Sequence, residues 1–378
     1  MKIVLTGGGT GGHFYPLMAV AAEIYKIAEE EKIIEPSLYY IGTEEYDRSA
    51  LEEHNITFLK APSGKVRKYF SIQNILDPFK VLFGTIKALW LLFTLYPDVV
   101  FSKGGFVSVP TLIAAWLLRI PVVIHESDAR PGKATLLGAR FARWVAISYP
   151  GVSKYLPNTP RDRVALTGNP VRASIAKPAK EGAHEYLGLD KSLPTIFIIG
   201  GSLGAQAINN VILDSLPELL TKYQVIHQAG SANIDQTNGI AKVILKDHPY
   251  SERYKSFGFL NTLAMRMSAG AADMLILRAG SGTIFEAANW GLPSIIIPIP
   301  EDISHDQTKN AYSYANTGAA VVIKQKNLEP SILINEVDRI MQDQTLRENM
   351  SQAAKGFAKP DAAHKIANII LKTALEHE

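Results

Sequence analysis

The stretch that most constrains what this chain can fold into is its first: the apolar run Lys2–Thr6, then Gly7-Gly8-Gly9-Thr10-Gly11-Gly12-His13, then a helical pattern that carries Pro16. A strand that runs through glycines into a helix aims free backbone N–H groups at an anion or polar ligand, and glycine tolerates positive φ and close backbone approach. Many nucleotide-binding folds share such a loop, so alone it defines a layout and not a ligand. His13 adds chemistry, because its side chain stands at the lip of the loop. The competing reading is a histidine that caps or packs the helix start.

The same grammar continues. Leu17–Ala28 repeats apolar residues at helical spacing and Leu38–Gly42 reads as a second strand, completing a βαβ unit. Glu44 and Glu45 follow where a dinucleotide fold puts its ribose acid, so a nicotinamide enzyme stays open. Val99–Phe101 is a strand ending in Ser102-Lys103-Gly104-Gly105-Phe106, with a helix expected from about Pro110 to Leu118. Pro121–Ile124 is another, ending in His125-Glu126-Ser127-Asp128. Singly, His125 and Glu126 read as caps that bond each other; with His13 they read as a site, since α/β sheets hold ligands at the carboxyl ends of parallel strands. Val145–Ser148 and Val164–Thr167 close the first half, Gly168-Asn169-Pro170-Val171-Arg172 begins the crossover, and the Pro-, Lys- and Ala-rich segment 177–182 reads as a linker.

The second half restarts with Thr195–Ile199 and Gly200-Gly201-Ser202-Leu203-Gly204-Ala205, a phosphate cradle in form, where N–H groups, a hydroxyl and a positive helix end converge. Further strands are expected at Val225–Ile226 and Val243–Leu245, followed by Phe257–Leu260 and a short helix. Met274–Leu277 leads into Arg278-Ala279-Gly280-Ser281-Gly282-Thr283 and a helix containing Glu286, expected about two turns in, where a carboxylate can accept both hydroxyls of a ribose. Pro293–Pro298 is a buried strand, and the loop beyond it presents His305-Asp306-Gln307. Pro360-Asp361 starts a last helix long enough to pack back over the first half.

One stretch departs from the pattern. Lys65, Arg67 and Lys68 precede Ile72, Ile75, Leu76, Phe79, Leu82, Phe83, Ile86, Leu89, Trp90 and Phe93, with Asp77-Pro78 expected as cap and first residue of a helix that Pro97 closes. Two readings stay open: core packed on two sides, or a face for an anionic membrane surface. At 378 residues the chain exceeds what one core usually organises, so two domains are expected. A formal charge of +3 calls for no nucleic-acid partner. With no cysteine, disulfides, thiolate zinc sites and a cysteine nucleophile are excluded, which fits a reducing compartment. The first strand begins at once, without a leader pattern, and the expected location is cytoplasmic, peripheral to the membrane.

The strings GGGTGGHFYPLMAVA, KGGFVSVP, HESDARPG, TGNPVR, GGSLGA, RAGSGTIFEAANWGLPSIIIP and DQTKNA, in order from Lys2 to about Ala374, resemble the MurG family. That family is the undecaprenyldiphospho-muramoylpentapeptide β-N-acetylglucosaminyltransferase of peptidoglycan synthesis. The resemblance implies a GT-B fold, two Rossmann-like α/β parallel-sheet domains facing a cleft. Residues 1–172 would bind the acceptor, lipid I, with a C-terminal helix at 360–378 returning to them, and residues 173–359 would bind the donor, UDP-GlcNAc. By the same resemblance Glu286 holds the ribose and backbone near Leu260 the uracil. Ser202, Gly204 and the loop of Arg278, Gly280 and Thr283 meet the diphosphate, with Arg172 near it, and Gln307 meets the GlcNAc hydroxyls. Thr10, Gly11 and Gly12 also reach the donor. Gly12, His13, Gly104, Gly105, Glu126 and Asp128 line the acceptor side, and Lys65, Arg67, Lys68, Phe79, Leu82 and Phe83 meet the membrane. Asp306 stands where some members have Gln or His, and Asp128 where others have Asn.

The family reaction is inverting: one displacement at the anomeric carbon, in which a base takes the proton of the C4 hydroxyl of N-acetylmuramic acid while UDP departs. His13 is the first choice for that base, with Glu126 or Asp128 in reserve. No Asp-x-Asp triplet and no His/carboxylate spacing typical of a metal site occurs, so neither metal nor other cofactor is expected. The rivals are a GT-B enzyme acting on another lipid such as diacylglycerol, a nicotinamide oxidoreductase, and a nucleotide-sugar sensor without turnover.

Overall fold

Runs of Val, Ile, Leu and Phe too short for helices form most strands of two parallel sheets, and because helices cover both faces these runs are apolar rather than alternating. The computed structural model describes residues 1–64, 73–200, 205–300 and 307–377, of which 73–76 by their backbone alone. The chain divides into two units, Met1–Arg172 with Lys359–Glu378, and Ala173–Ala358.

In the first unit the strands are β1 (Lys2–Thr6), β2 (Ser37–Gly42), β3 (Ile56–Lys60), β4 (Val99–Ser102), β5 (Val122–Glu126), β6 (Trp144–Ile147) and β7 (Val164–Leu166). Their order is β3-β2-β1-β4-β5-β6-β7, all neighbours parallel. Chain progression reverses between β1 and β4, so the loops after those two strands leave on opposite sides of one crevice. One face is covered by the Gly11–Glu30 helix and by the last helix, Ala362–Leu375, whose Ile366 and Ile370 are fully buried among Leu17, Val20 and Ile24. Each such side chain contributes about 1.5–3 kcal/mol, enough to hold the chain end on this unit.

The helix near residue 77 begins earlier than expected. It spans Gln73–Leu95, with Pro78 inside it rather than at its first position, at the cost of the one hydrogen bond that proline cannot donate. Its two faces differ. Thr85, Ala88 and Leu92 are buried, while Phe79, Leu82, Phe83, Ile86, Trp90 and Phe93 lie exposed at steps of three and four. Gly84 lets the helix approach the Pro62 carbonyl, which an added Cβ would meet at 1.8 Å. Among the described residues Asp77–Leu95 is the one helix long and apolar enough to cross a membrane by length and composition.

In the second unit β8 (Thr195–Ile199), β9 (Gln224–Gln228), β10 (Tyr254–Phe257), β11 (Met274–Arg278), β12 (Ser294–Ile297) and β13 (Ala320–Val322) pair in parallel in the order β10-β9-β8-β11-β12-β13. Here the reversal falls between β8 and β11. Two expectations are corrected. Val243–Leu245 is no strand but the end of the helix Ile234–Ile244 and its cap: Ile240, Ala241, Ile244 and Leu245 form a helical stripe on the core, and Val243, which made the run look strand-like, points outward. Segment 177–182 is no free linker either, because the Ala179 N–H bonds the Arg266 carbonyl and Arg266 Nε donates to the Lys177 carbonyl.

Candidate active site

At the reversal of the first sheet, two glycine loops lock together. Gly105 has φ +80°, and a Cβ there would lie 2.9 Å from the Gly8 carbonyl oxygen and 3.4 Å from His13 Cδ2. Gly9 faces the Phe106 ring, which a Cβ would meet at 2.7 Å, and Tyr40 closes the turn by donating its hydroxyl to the Gly7 carbonyl at 2.6 Å. The glycines read from sequence as room for a ligand are therefore partly occupied by the neighbouring loop. Thr10 sits at the helix cap with extended backbone and no capping bond from its hydroxyl, and its carbonyl accepts from His13 and Phe14. Gly11 packs near Tyr46 and Tyr15, while Gly12 is open to solvent.

His13, in the first turn of that helix, has Nδ1 3.2 Å from the Lys103 carbonyl. A carbonyl only accepts, so in the neutral ring Nδ1 carries the hydrogen and Nε2 the lone pair. Gly104 N–H donates to Ser102 Oγ at 3.1 Å, setting the turn that presents this carbonyl.

The residues at the end of β5 divide by face. His125 is fully buried, with Nε2 2.9 Å from the Gly168 carbonyl and 3.2 Å from Ser148 Oγ. Burial first, then the Lys103 charge, holds it well below the usual histidine range, so it stays neutral. It does not bond Glu126, which points the other way along the strand. Glu126 instead holds the loop after β5: one carboxylate oxygen accepts the Asp128 N–H at 2.9 Å and the other the Gly132 N–H at 3.0 Å. Burial and the adjacent Asp128 raise its carboxyl above the ordinary range. Asp128 is half-buried beside it. Arg172 belongs to this unit, its guanidinium 4.5 Å over the Tyr15 ring, whose hydroxyl donates to Asp47.

At the reversal of the second sheet the loop after β11 is built differently. The helix Ser281–Trp290 turns Ile284, Phe285, Ala287 and Ala288 inward, which leaves Thr283 and Glu286, three apart, on its open side. Glu286 is the sixth residue of this helix, a turn and a half in rather than two, because Ala279 and Gly280 are still loop. A Cβ on Gly280 would meet nothing nearer than Gln307 Nε2 and Thr283 Oγ1, both at 3.9 Å. Gln307 Oε1 accepts the Ile299 N–H, and Arg278 Nη1 donates to the Ile297 carbonyl at 3.2 Å, while its Nε has no partner among the described residues. Burial brings the Arg278 pKa down to about 10. Leu260 is buried between an exposed Phe259 and Asn261, which caps the next helix by accepting the Ala264 N–H. Ser202, Gly204, His305, Asp306, Lys65, Arg67 and Lys68 lie outside the described residues.

Sequence reasoning passed over Lys103, whose carbonyl orients His13. The signal was present in Phe101-Ser102-Lys103-Gly104-Gly105, a lone cation where an apolar strand meets paired glycines.

Two sheets with glycine loops at both reversals define a class. The glycosyltransferase family 28 N-terminal domain matches residues 3–147 and its C-terminal domain residues 195–366, so the chain is a two-domain glycosyltransferase. A protein of Treponema denticola named UDP-N-acetylglucosamine--N-acetylmuramyl-(pentapeptide) pyrophosphoryl-undecaprenol N-acetylglucosamine transferase is 38% identical over 377 residues, covering 96% of this chain and 93% of that protein. A Bacillus cereus protein of the same name, numbered 2, is 37% identical over 344 residues, covering 90% and 92%. The crystal structure of Acinetobacter baumannii MurG superposes with a TM-score of 0.74 at 27% identity, covering 98% of this chain and 99% of that one. The chain belongs to the MurG family.

Proposed function

We propose that this protein transfers GlcNAc from UDP-GlcNAc to the C4 hydroxyl of N-acetylmuramic acid in lipid I, with inversion, giving lipid II for peptidoglycan synthesis. The observation that carries the substrate assignment is the match, across both units, to relatives whose name states this reaction.

The chemistry divides between the units. On the acceptor side, His13 Nε2 takes the C4 proton as that oxygen attacks the anomeric carbon; the bond from that carbon to the UDP oxygen breaks, and UDP leaves with the electron pair. The Lys103 carbonyl supports this role by keeping the second imidazole hydrogen on Nδ1. Gly12, Gly104, Gly105 and Asp128 line the acceptor pocket, and Glu126 shapes it, both of its oxygens being engaged by backbone N–H groups. On the donor side, Glu286 accepts the ribose hydroxyls, backbone at Leu260 meets the uracil, and Gln307 meets the sugar. Arg278, Thr283 and the start of the Ser281–Trp290 helix, with Ser202 and Gly204, meet the diphosphate and its developing charge. Thr10, Gly11, Gly12 and Arg172 also bind the donor.

The exposed face of the Gln73–Leu95 helix meets the cytoplasmic surface of the membrane that carries the lipid acceptor. Six large apolar side chains in one solvent-facing stripe support this. Exchanging Phe79, Leu82 and Phe83 for Ser is expected to reduce binding to anionic vesicles with an unchanged melting temperature; a lost fold would assign the face to the core.

The function itself is tested by incubating the protein with UDP-GlcNAc and a lipid I analogue. UDP release with a β-linked disaccharide product is expected. Release with diacylglycerol and none with the lipid I analogue would overturn the acceptor assignment, and donor binding without any turnover would make the protein a sensor.

A further inference from the structure

Arg172 lies over the face of Tyr15, its guanidinium carbon 4.5 Å from the ring centroid. Among the described residues no hydrogen bond or ion pair engages that guanidinium, so the ring holds it while its N–H groups stay uncommitted. A ring face attracts a cation through its quadrupole and leaves the N–H edge free, whereas a carboxylate partner would occupy that edge. The segment that carries Arg172 is fixed to the sheet. Gly168 has φ +84°, and its carbonyl accepts from His125 Nε2 at 2.9 Å and from Thr167 Oγ1 at 3.0 Å. The ring is fixed as well. Tyr15 donates its hydroxyl to Asp47 Oδ2 at 3.2 Å, and Asp47 Oδ1 caps the helix Arg48–Glu53 by accepting the Ala50 N–H at 3.1 Å. Tyr46 meets the Tyr15 ring edge-on with centroids 6.1 Å apart. Gly11 makes room for the ring, because a Cβ there would come within 3.3 Å of Tyr15 Cδ2 and Cε2.

We propose that Tyr15 is a positioning residue for the donor: its ring holds the Arg172 guanidinium by the flat face and leaves the N–H edge to a diphosphate, while Asp47 fixes the ring through its hydroxyl. The inference rests on the reading of Arg172 as a donor contact. A long, flexible side chain loses rotamer freedom when it binds, and a ring that already restrains it lowers that loss. Stacking does so without neutralising the cation, so nothing has to be displaced before phosphate oxygens take the guanidinium edge. Burial first, then the Asp47 charge, raises the Tyr15 pKa, so the phenol keeps the proton it donates. One element then carries two tasks: His13 and Tyr15 both leave the start of the Gly11–Glu30 helix, the first facing the acceptor and the second setting the cation for the leaving group.

The test uses the full chain and measures binding of UDP and of uridine by calorimetry, with Phe and then mono-, di- and trifluorophenylalanine at position 15. Fluorine drains the negative ring face with little change in size, so the packing and the melting temperature are kept while the hold on the cation weakens. Tyr15→Phe, which loses the bond to Asp47, is expected to raise the UDP Kd by about twofold to tenfold, the worth of one hydrogen bond; an unchanged value would remove Asp47 from the proposal. Along the fluorinated series the UDP Kd is expected to rise stepwise, by about threefold to thirtyfold in all, the range of a cation–π contact. Uridine, which carries no phosphate, is expected to bind alike throughout. In Arg172→Ala the UDP affinity is expected to fall and the series to go flat, since the ring then has no cation to hold. A flat series with Arg172 present, an equal loss for uridine, or a slope that survives in Arg172→Ala would overturn the proposal. The two readings separate: if Arg172→Ala weakens UDP while the series stays flat, only the role of Tyr15 falls, and if Arg172→Ala leaves UDP binding unchanged, the reading of Arg172 as a donor contact falls with it.

Discussion

The two sheet reversals share a grammar of strand, glycines and helix, but they use their glycines differently. At β1 and β4 the glycines let two loops interlock: Gly105 is pressed against the Gly8 carbonyl and Gly9 against Phe106. At β11 the glycine stands clear, with nothing nearer than 3.9 Å to a Cβ on Gly280. The same sequence signal thus builds a rigid platform that orients one imidazole in the first unit and an open backbone in the second. A glycine loop tells where a ligand-binding crevice is; its surroundings tell whether the space is taken by protein or left for a ligand.

This contrast can be broken by experiment, and the largest effect is expected at His13. His13→Ala should lower kcat by about a hundredfold to ten-thousandfold, the contribution of a general base, with donor affinity retained; near-normal turnover would remove the platform's chemical purpose. Glu286→Ala should act the opposite way, raising the donor Kd by about tenfold to a hundredfold, since a hydrogen bond to a charged group is worth about 1.5–3 kcal/mol. An unchanged Kd by calorimetry would refute the ribose role.

The contrast is sharpened by paired glycine changes. Gly105→Ala, at positive φ and in contact with Gly8, is expected to destabilise the fold by about 1–3 kcal/mol in denaturant titration. Gly280→Ala should stay within about 0.5 kcal/mol while weakening donor binding. Equal stability losses would erase the distinction.

The acid response is expected to be smaller. His227 on β9 is buried, bonded to Asn209 and Tyr254, and burial lowers its pKa to about 4. Below its unfolded value of about 6.5 the unfolded chain binds the proton that the folded chain refuses, so stability is full above that pH and falls toward pH 4, by on the order of 2 kcal/mol. Denaturation of His227→Gln across this window should show a flatter profile; an identical slope would assign the acid sensitivity elsewhere.

Much of the fold was legible because buried parallel strands are short apolar runs ended by glycine, as in Lys2–Thr6 and Met274–Leu277. Where legibility failed, a long-range contact decided. Val243–Leu245 reads as a strand until Ile240 and Ile244 are seen on the core, and Pro78 reads as a helix start although the helix begins at Gln73. The strand Ile56–Lys60 was passed over, since its half-polar pattern becomes a strand only by pairing with β2. At the candidate site, His13, Glu286 and Gln307 were visible as chemistry beside glycine loops, whereas Lys103 was not, because it meets His13 through its backbone carbonyl.

What the chain determined by itself is therefore the list of elements and the reactive residue types, because periodicity and glycine placement are local properties of neighbouring residues. Tertiary structure decided which way the sheet order reverses, which glycines are filled, that Glu126 serves its own loop and that Lys103 is buried. Those outcomes depend on desolvation and on contacts between segments as far apart as Gly8 and Gly105, which no local pattern encodes.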